Sequence, residues 1–171
     1  MLDDKKYMKM AYVYAKKHSD DPRTNTGAVL VREAGKVLSY GSNSIPYGVN
    51  KLDFMLERNV KADYLGHAEK KSIAFCARKG YSTEDSILYT PWEPCGPCGI
   101  DIINAGIREI VLHKDINDFD RELSDGVWFD GQRIALENLK QAGVNVRYIE
   151  GKLFDEDFTI KFRGQDFSPW A

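Results

Sequence analysis

The stretch "SILYTPWEPCGPCGIDIINAGIREIVLH" (residues 86–113) decides the fold, because it contains a strand, a helix and a second strand in succession. "SILYT" and "IREIVLH" are short apolar runs typical of buried strands, and the segment between them starts in a turn and becomes helical. Strands connected through a helix pair in parallel, almost always with a right-handed crossover. This stretch therefore predicts part of a parallel sheet.

A second crossover follows downstream. "GVWFDGQRIALENLKQAG" (residues 126–143) contains a helix that Gly143 closes, with Ile134, Ala135, Leu139 and Ala142 predicted to face inward. "VNVRYIE" (residues 144–150) is the last core strand. The final three core strands should therefore all be parallel.

Upstream, the pattern predicts an antiparallel hairpin between two helices. Residues 5–18 carry an apolar stripe at helical spacing, formed by Met8, Ala11, Tyr12 and Ala15. "GAVLVRE" and "GKVLSYG" predict two strands that meet at a tight turn, and residues 67–79 predict a helix that ends at Gly80. Residues 44–63 resemble an insertion with a short helix. We predict a three-layer α/β/α fold, with a mixed five-stranded sheet, an antiparallel edge hairpin and parallel strands 3-4-5.

The length of 171 residues suits one domain that spans the whole sequence. Its C-terminal tail, about 151–171, contains "FTIKF", which predicts an added edge strand or a contact with a neighbouring subunit. We expect Phe167 and Trp170 to be exposed there. Surface packing is the simpler interpretation, and closure of a pocket by Trp170 is the alternative.

Composition excludes several classes of protein. The net charge is −2, so no global basic field attracts nucleic acid or anionic lipid. No apolar run approaches the ~20 residues of a membrane span, and the first residues do not resemble a signal peptide. Three cysteines do not form a disulfide framework. These features predict a cytoplasmic protein without a membrane partner.

Three side chains have the spacing of a metal site. His67 starts one predicted helix, and Cys95 and Cys98 start the next, in the turn "PCGPC". Both helices begin at the same edge of the predicted sheet, where helix N-termini favour the thiolate form that binds metal. Imidazole and two thiolates suit Zn²⁺. The sequence therefore predicts one zinc ion held by His67, Cys95 and Cys98.

Three protein ligands leave a fourth position of tetrahedral zinc open, which is typical of a catalytic site and not of a structural one. Water at such a position is acidified to a pKa of about 7. Glu69, two residues after His67, is the candidate proton carrier. The pattern H-x-E…P-C-x-x-C is the known signature of zinc deaminases.

Other polar and reactive residues have simpler interpretations. Cys76 lies in the middle of a helix among apolar residues and is expected in the core and not on the metal. His18 and His113 lie at the ends of predicted elements and are expected to be structural. Thr26 begins the first strand, where its hydroxyl either bonds the ligand or only starts the strand.

With these motifs, the chain resembles the cytidine and deoxycytidylate deaminase superfamily, and within it the dCMP deaminases. The resemblance covers most of residues 10–150 in family order. It is carried by "AYVYAKKHSDDPRTNTGAVLV", "GSNSIPYG", "HAEKKSIAF", "PCGPC", "IINAGIREIVLH" and "ALENLKQAGVNV". It implies an oligomer, with a hexamer as one possibility.

The resemblance also implies residue roles. Hydroxide activated by the zinc attacks C4 of the cytosine, while Glu69 moves protons to N3 and to the departing ammonia. The backbone N–H of Ala68 holds the pyrimidine O2, and Asn43 binds a sugar hydroxyl. The family usually has Asn and Ala where this chain has Lys71 and Ser72. We expect Lys71 on a solvated helix face, with a substrate phosphate as its alternative partner.

The connection between the last two core strands and the overall charge distinguish among the possible substrates. Free-cytidine deaminases resemble one another in that the chain turns directly back between the last strands, which are therefore antiparallel. In this chain a helix joins the last two core strands, as in the branches that act on dCMP or nucleic acid. The 24 basic and 26 acidic residues disfavour nucleic acid, which needs many phosphate contacts, and favour a small nucleotide. Candidates for one phosphate contact are Arg23, Lys51, Arg58 and Lys61.

The predicted reaction is hydrolysis of dCMP to dUMP and ammonia. One alternative is a zinc deaminase with another substrate: a nucleic-acid base, a nucleoside, dCTP, a modified cytosine or a pathway intermediate. The other is an inactive zinc-containing binding module, which Glu69 disfavours because structural zinc has no use for that carboxylate.

Overall fold

A computed structural model describes residues 2–32, 34–123, 127–155 and 157–169. In the helix that begins at residue 127, side chains are described from residue 130 onward. The helices are α1 (Asp4–His18), α2 (Lys61–Tyr64), α3 (Ala68–Lys79), α4 (Gly96–Asn104), α5 (Lys114–Leu123) and α6 (Val127–Gln141), with a 3₁₀ turn at Asp53–Leu56. The strands are β1 (Gly27–Val31), β2 (Val37–Ser42), β3 (Ile87–Tyr89), β4 (Glu109–His113), β5 (Asn145–Ile149), β6 (Ile160–Phe162) and β7 (Gln165–Phe167). None of the helices in these ranges is both long and apolar enough to cross a bilayer.

Five strands form a mixed sheet in the order β2-β1-β3-β4-β5. β1 pairs antiparallel with both β2 and β3, while β3, β4 and β5 run parallel. The two parallel pairs are joined through α4 and through α5 with α6, as helical crossovers require. The predicted α/β architecture and its parallel strands 3-4-5 are confirmed.

Apolar clusters cover both faces of the sheet. On one face, the predicted stripe of α1 packs with Val29, Tyr89 and Val111. On the other, α3, α4 and α6 pack against Leu30 and Leu88. Every residue of β1 is buried, which explains its continuous apolar run "GAVLV". The sheet is thus the middle layer between two sets of helices.

Two strand glycines let a helix approach each face closely. A Cβ added to Gly27 would lie 2.1 Å from the backbone oxygen of Ala11 in α1. A Cβ added to Gly41 would lie 1.9 Å from the backbone oxygen of Ala68, the first residue of α3. Because real Cβ atoms do not approach oxygen so closely, the start of α3 depends on glycine at position 41.

One helix was not expected from the sequence. α5 begins directly after β4 and buries Ile116, Asn117 and Asp120. Two inward predictions for α6 are wrong: Ala135 and Leu139 are buried, but Ile134 is 47% exposed and Ala142 is also exposed. The crossover from β4 to β5 therefore contains two helices, and part of the outer face of α6 is apolar.

The C-terminal tail forms its own hairpin. β6 and β7 make a separate two-stranded sheet and do not extend the main one, so the predicted edge strand is wrong. Phe167 is buried in the same cluster as α1, which corrects the expectation that it is exposed. Trp170 lies outside the described residues. The tail thus covers one face of the core.

We expect Gly41→Ala to lower the free energy of unfolding by about 1–3 kcal/mol, because the new methyl group displaces the start of α3. Chemical denaturation measures the effect. Gly131→Ala in α6 is the matched control, since no described atom lies within 4 Å of its added Cβ, and it should be neutral or stabilising. Equal stability of Gly41→Ala and the wild type would contradict the close approach.

Candidate metal centre and substrate cavity

Strand directions bring separate loops to one edge of the sheet. β1 is antiparallel to β3, so it starts where β3 ends, and the Thr90 hydroxyl donates to the Gly27 carbonyl at 3.1 Å. β2 ends beside the start of β1, where the Asn43 N–H donates to the Thr26 carbonyl at 3.2 Å. α3 and α4 begin at this edge. The predicted site residues therefore come from four segments that meet at one edge of the sheet: the start of β1, the end of β2, and the starts of α3 and α4.

His67, Cys95 and Cys98 form a compact cluster. The Nδ1 atom of His67 lies 3.5 Å from Cys95 Sγ and 3.3 Å from Cys98 Sγ. One ligand atom from each residue lies within 4.8 Å of the others. His67 and Cys95 are the N-cap residues of α3 and α4, as predicted from the sequence. The structure thus brings His67 together with two cysteines that lie 28 and 31 positions further along the chain.

The donor set fits zinc. Ligands held about 2.0–2.3 Å from a tetrahedral ion lie roughly 3.5 Å apart, close to the separations in this cluster. Hydrogen bonds from Cys98 and His67 lower the pKa of Cys95 to about 4, which favours the thiolate. Cys76 packs in the core cluster of α3, as expected, and does not join the group. The residues therefore suit one ion with three protein ligands.

Glu69 lies beside the cluster in the first turn of α3, and its side chain is 5% exposed. Burial raises the pKa of its carboxyl group above the usual value, while the positive charge of His67 partly opposes this. A raised pKa makes the protonated form easier to reach, which suits a group that both accepts and donates protons. Its position suits a proton carrier, not a fourth ligand.

A cavity of about 320 Å³ opens beside the cluster. Its wall includes all of the site residues proposed from the sequence except the buried Cys98, together with two further phosphate candidates, Arg58 and Lys61. Lys61 pairs with Asp21 at 2.5 Å. Lys51 pairs with Asp20 at 2.9 Å and does not line the cavity. Positive charge is therefore available at the cavity from three of the four predicted cations.

The remaining predicted contacts also lie on the cavity wall. Asn43 is a structural hub: its Oδ1 accepts from the Ser19 hydroxyl at 2.6 Å and from the Thr26 N–H at 2.9 Å, and its Nδ2 donates to the Thr24 carbonyl. Ala68 is the first residue of α3, so its N–H has no acceptor within the helix. The second Nδ2 hydrogen of Asn43 and the backbone N–H of Ala68 are therefore candidate donors on the cavity wall.

Comparison with known proteins identifies the family. Residues 1–114 match the cytidine and deoxycytidylate deaminase zinc-binding region. The chain belongs to this family. It is an enzyme of the deoxycytidylate deaminase type, a hydrolase, and its His67, Cys95 and Cys98 cluster can hold a metal.

Individual relatives are distant. An uncharacterised deaminase in the luxG 3′ region of Aliivibrio fischeri is 30% identical over 77% of this chain and 83% of that protein. Human deoxycytidylate deaminase is 29% identical over 64% of this chain and 63% of the human protein. The crystal structure of dCMP deaminase from cyanophage S-TIM5 in complex with dCMP and dUMP has a TM-score of 0.64. It is 24% identical over 87% of this chain and 99% of the phage protein.

The wall of this deaminase cavity includes residues that sequence patterns did not indicate, among them Trp92, Glu93, Gln132 and Arg163. α5 fixes the first two. Asn117 accepts from the Glu93 N–H at 2.9 Å and donates to the Pro91 carbonyl at 3.0 Å. The helical spacing of residues 116, 119, 120 and 123 could have indicated α5, although the polar Asp120 interrupts the apolar stripe.

Two further predictions concern side chains near the deaminase site. Lys71 is half-buried and does not line the cavity: its Nζ donates to the Ile45 carbonyl at 2.9 Å and to the Ser44 hydroxyl. Lys71 thereby ties α3 to the loop after β2. His113 is fully buried and its Nδ1 lies 2.7 Å from the Tyr12 hydroxyl, a structural role as expected.

We expect the purified deaminase to contain about one zinc per chain and His67→Ala to contain far less, because only two ligands remain. Atomic emission spectroscopy of dialysed protein measures the content. Cys76→Ala is the control: it removes a thiol outside the cluster and should keep the metal. Equal zinc in His67→Ala and the wild type would contradict this ligand set.

Proposed function

We propose that this deaminase hydrolyses dCMP to dUMP and ammonia. The observation that carries the proposal is a buried carboxylate, Glu69, beside a His/Cys/Cys cluster, in a cavity with cationic residues on its wall. The volume of about 320 Å³ lies in the range of small-molecule sites.

The chain's own residues divide the chemistry. Zinc, when held by His67, Cys95 and Cys98, supplies a Lewis acid that activates water for attack on C4 of the cytosine. Glu69 accepts one proton from that water and delivers it to ring N3, then takes the second proton from the new hydroxyl group on C4 and gives it to the amino group, which leaves as ammonia. Water adds, ammonia leaves, and the cytosine becomes uracil. The raised pKa of Glu69 suits both directions of transfer.

Orientation of the base and sugar follows from the wall residues. We assign the Ala68 N–H to the pyrimidine O2, because an N–H at the start of α3 lacks a helical acceptor and carries the positive end of the helix dipole. Asn43 offers its remaining Nδ2 hydrogen to a sugar hydroxyl. Thr26 supports this position through the bond of its N–H to Asn43 Oδ1.

The charge distribution favours one phosphate group over a polynucleotide. Arg23, Arg58 and Lys61 line the cavity, while the whole chain has a net charge of −2. A nucleic-acid enzyme needs a row of phosphate contacts and acquires steep salt dependence from them. A mononucleotide needs only a local cation cluster, which is the arrangement in this cavity.

We also propose that the chain acts as a single domain, that it forms a homo-oligomer, and that it is located in the cytoplasm. Ile100 and Ile134 are 50% and 47% exposed on the adjacent helices α4 and α6, and they favour a contact between copies, for which a hexamer is one arrangement. Residues 1–171 would act as one unit, since the C-terminal hairpin packs on the core. A reducing cytoplasm would keep the site thiols free.

We expect dCMP to have the highest kcat/KM in a spectrophotometric panel of dCMP, dCTP, deoxycytidine, CMP, 5-methyl-dCMP and short single-stranded DNA. The physical reason is the match of one phosphate to the cations at the cavity. Faster turnover of single-stranded DNA or deoxycytidine would contradict the proposed substrate, and no turnover of any compound would favour a binding module.

We expect Glu69→Gln to retain zinc and the folded state but to lower kcat about 10²–10⁴-fold, the range of general acid–base catalysis. Steady-state kinetics with dCMP measures the loss, and atomic emission confirms the metal. Glu137→Gln on the exposed face of α6 removes the same charge outside the cavity and should keep full activity. Unchanged kcat in Glu69→Gln would refute the proton-carrier role.

A further inference from the structure

The C-terminal hairpin reaches the cavity through its turn. Phe162 pairs with Gln165, so the loop between β6 and β7 consists of Arg163 and Gly164 alone. Both loop residues have positive φ, 50° and 84°. Two-residue hairpin loops with positive φ at both positions are type I′ turns, which favour Asn-Gly. This turn instead has an arginine in its first position.

The arginine is in a backbone conformation that a long side chain seldom adopts. Among the described non-glycine residues, only Asp85 and Arg163 have positive φ. Aspartate and asparagine tolerate this region, whereas arginine has no such local compensation. Backbone strain of this kind persists where a function requires the side chain. The side chain of Arg163 is therefore the feature to explain.

Hydrogen bonds fix the turn against the cavity wall. The Gly164 N–H donates to the Arg23 carbonyl at 2.7 Å, and the Arg163 N–H donates to the Thr24 hydroxyl at 3.2 Å. Asn25 and Lys161 exchange two further bonds, at 2.7 and 2.9 Å. Because Arg23 and Thr24 line the cavity, the hairpin turn is positioned as part of the same wall.

The guanidinium group is held in place but not saturated. Its Nε donates to Asp120, and its centre lies 5.6 Å from the ring centroid of Trp92. Asp120 is 2% exposed and also accepts from Trp92 Nε1 at 2.9 Å. The Nη2 atom of Arg163 is buried and has no hydrogen-bond partner among the described residues. Buried donors are rarely left unpaired, so this atom calls for an acceptor that the described part of the chain does not supply.

We propose that Arg163 is the specificity-determining residue that binds the phosphate of the nucleoside monophosphate. Phosphate oxygens are the acceptors that a planar guanidinium pairs with most strongly. Asp120 is the positioning residue, because it orients the guanidinium and leaves Nη2 for the ligand. This inference rests on the proposed nucleotide substrate. It makes the C-terminal hairpin, which lies beyond the family match at residue 114, part of the substrate site.

Arg163→Asn is the test variant, because asparagine adopts positive φ readily and the turn becomes the favoured Asn-Gly. Its melting temperature reflects two opposing effects, relief of strain in the turn and loss of the cation beside buried Asp120, and a thermal melt checks that the variant is folded under the assay conditions. The ratio of kcat/KM for dCMP to kcat/KM for deoxycytidine should fall about 10- to 100-fold, the range for loss of a charged hydrogen bond. Arg163→Lys should also lose discrimination, since its compact ammonium group lacks the planar fork that can hold Asp120 and a phosphate through separate nitrogens.

Lys161→Ala is the matched control. Lys161 lies on β6, is 48% exposed, and pairs with Asp166 at 2.8 Å outside the cavity. It removes one positive charge from the same hairpin and should keep the dCMP to deoxycytidine ratio. An equal fall in Lys161→Ala would show a general charge effect and would overturn the role of Arg163. An unchanged ratio in both Arg163 variants would overturn it as well.

Calorimetric binding of dCMP and deoxycytidine, in the Glu69→Gln background, separates this inference from the proposed reaction. If the protein prefers dCMP but the active enzyme does not deaminate it, the proposed reaction fails. Arg163 is then still supported if Arg163→Asn abolishes the binding preference. If dCMP and deoxycytidine bind equally well before Arg163 is changed, no phosphate contact exists and the inference fails, whichever compound is deaminated.

Discussion

The position of the site depends on β3 having one antiparallel and one parallel neighbour in the sheet. This strand pairs antiparallel with β1 on one side and parallel with β4 on the other. The parallel partner requires a crossover helix, so α4 must begin just past the end of β3, and its first turn carries the two cysteines. The antiparallel partner places the beginning of β1 and the end of β2 at the same edge.

Behind this edge, a polar network holds the loop that precedes the metal ligands. Buried Glu93 accepts from Arg121 and from the Tyr148 hydroxyl, both at 2.7 Å. Asn117 clamps the backbone on either side of Trp92, and Asp120 bonds its indole. These four side chains lie on α5 and β5, downstream of the loop that they hold. Buried hydrogen-bond networks of this kind make a site rigid, which suits a reaction that depends on proton transfer over short distances.

Prediction from the sequence worked where the signal is local. Helix starts, the Cys-x-x-Cys turn and the continuous apolar strands are local patterns, and they sufficed to predict the sheet and the cluster of His67, Cys95 and Cys98. Prediction failed where the burial of a side chain depends on partners that are distant in the sequence. α5 was missed because its inward face carries Asn117 and Asp120, whose burial is favourable only with the loop they bind. The hairpin tail was assigned wrongly because aromatic residues near a chain end can pack on α1 as well as on another subunit.

Charge around the cavity explains how an acidic protein can attract an anionic ligand. Of the cations on the wall, Lys61 is paired with Asp21 and Arg163 with Asp120, while Arg121 offsets the buried Glu93. The pairs keep these groups in place and nearly cancel at a distance. Arg23 and Arg58 add positive charge at the cavity. The electrostatic field of these two arginines is therefore short-ranged, because salt screens it beyond a Debye length of about 10 Å. Such a field favours a compact phosphate that enters the cavity over a polymer that must be held along the surface.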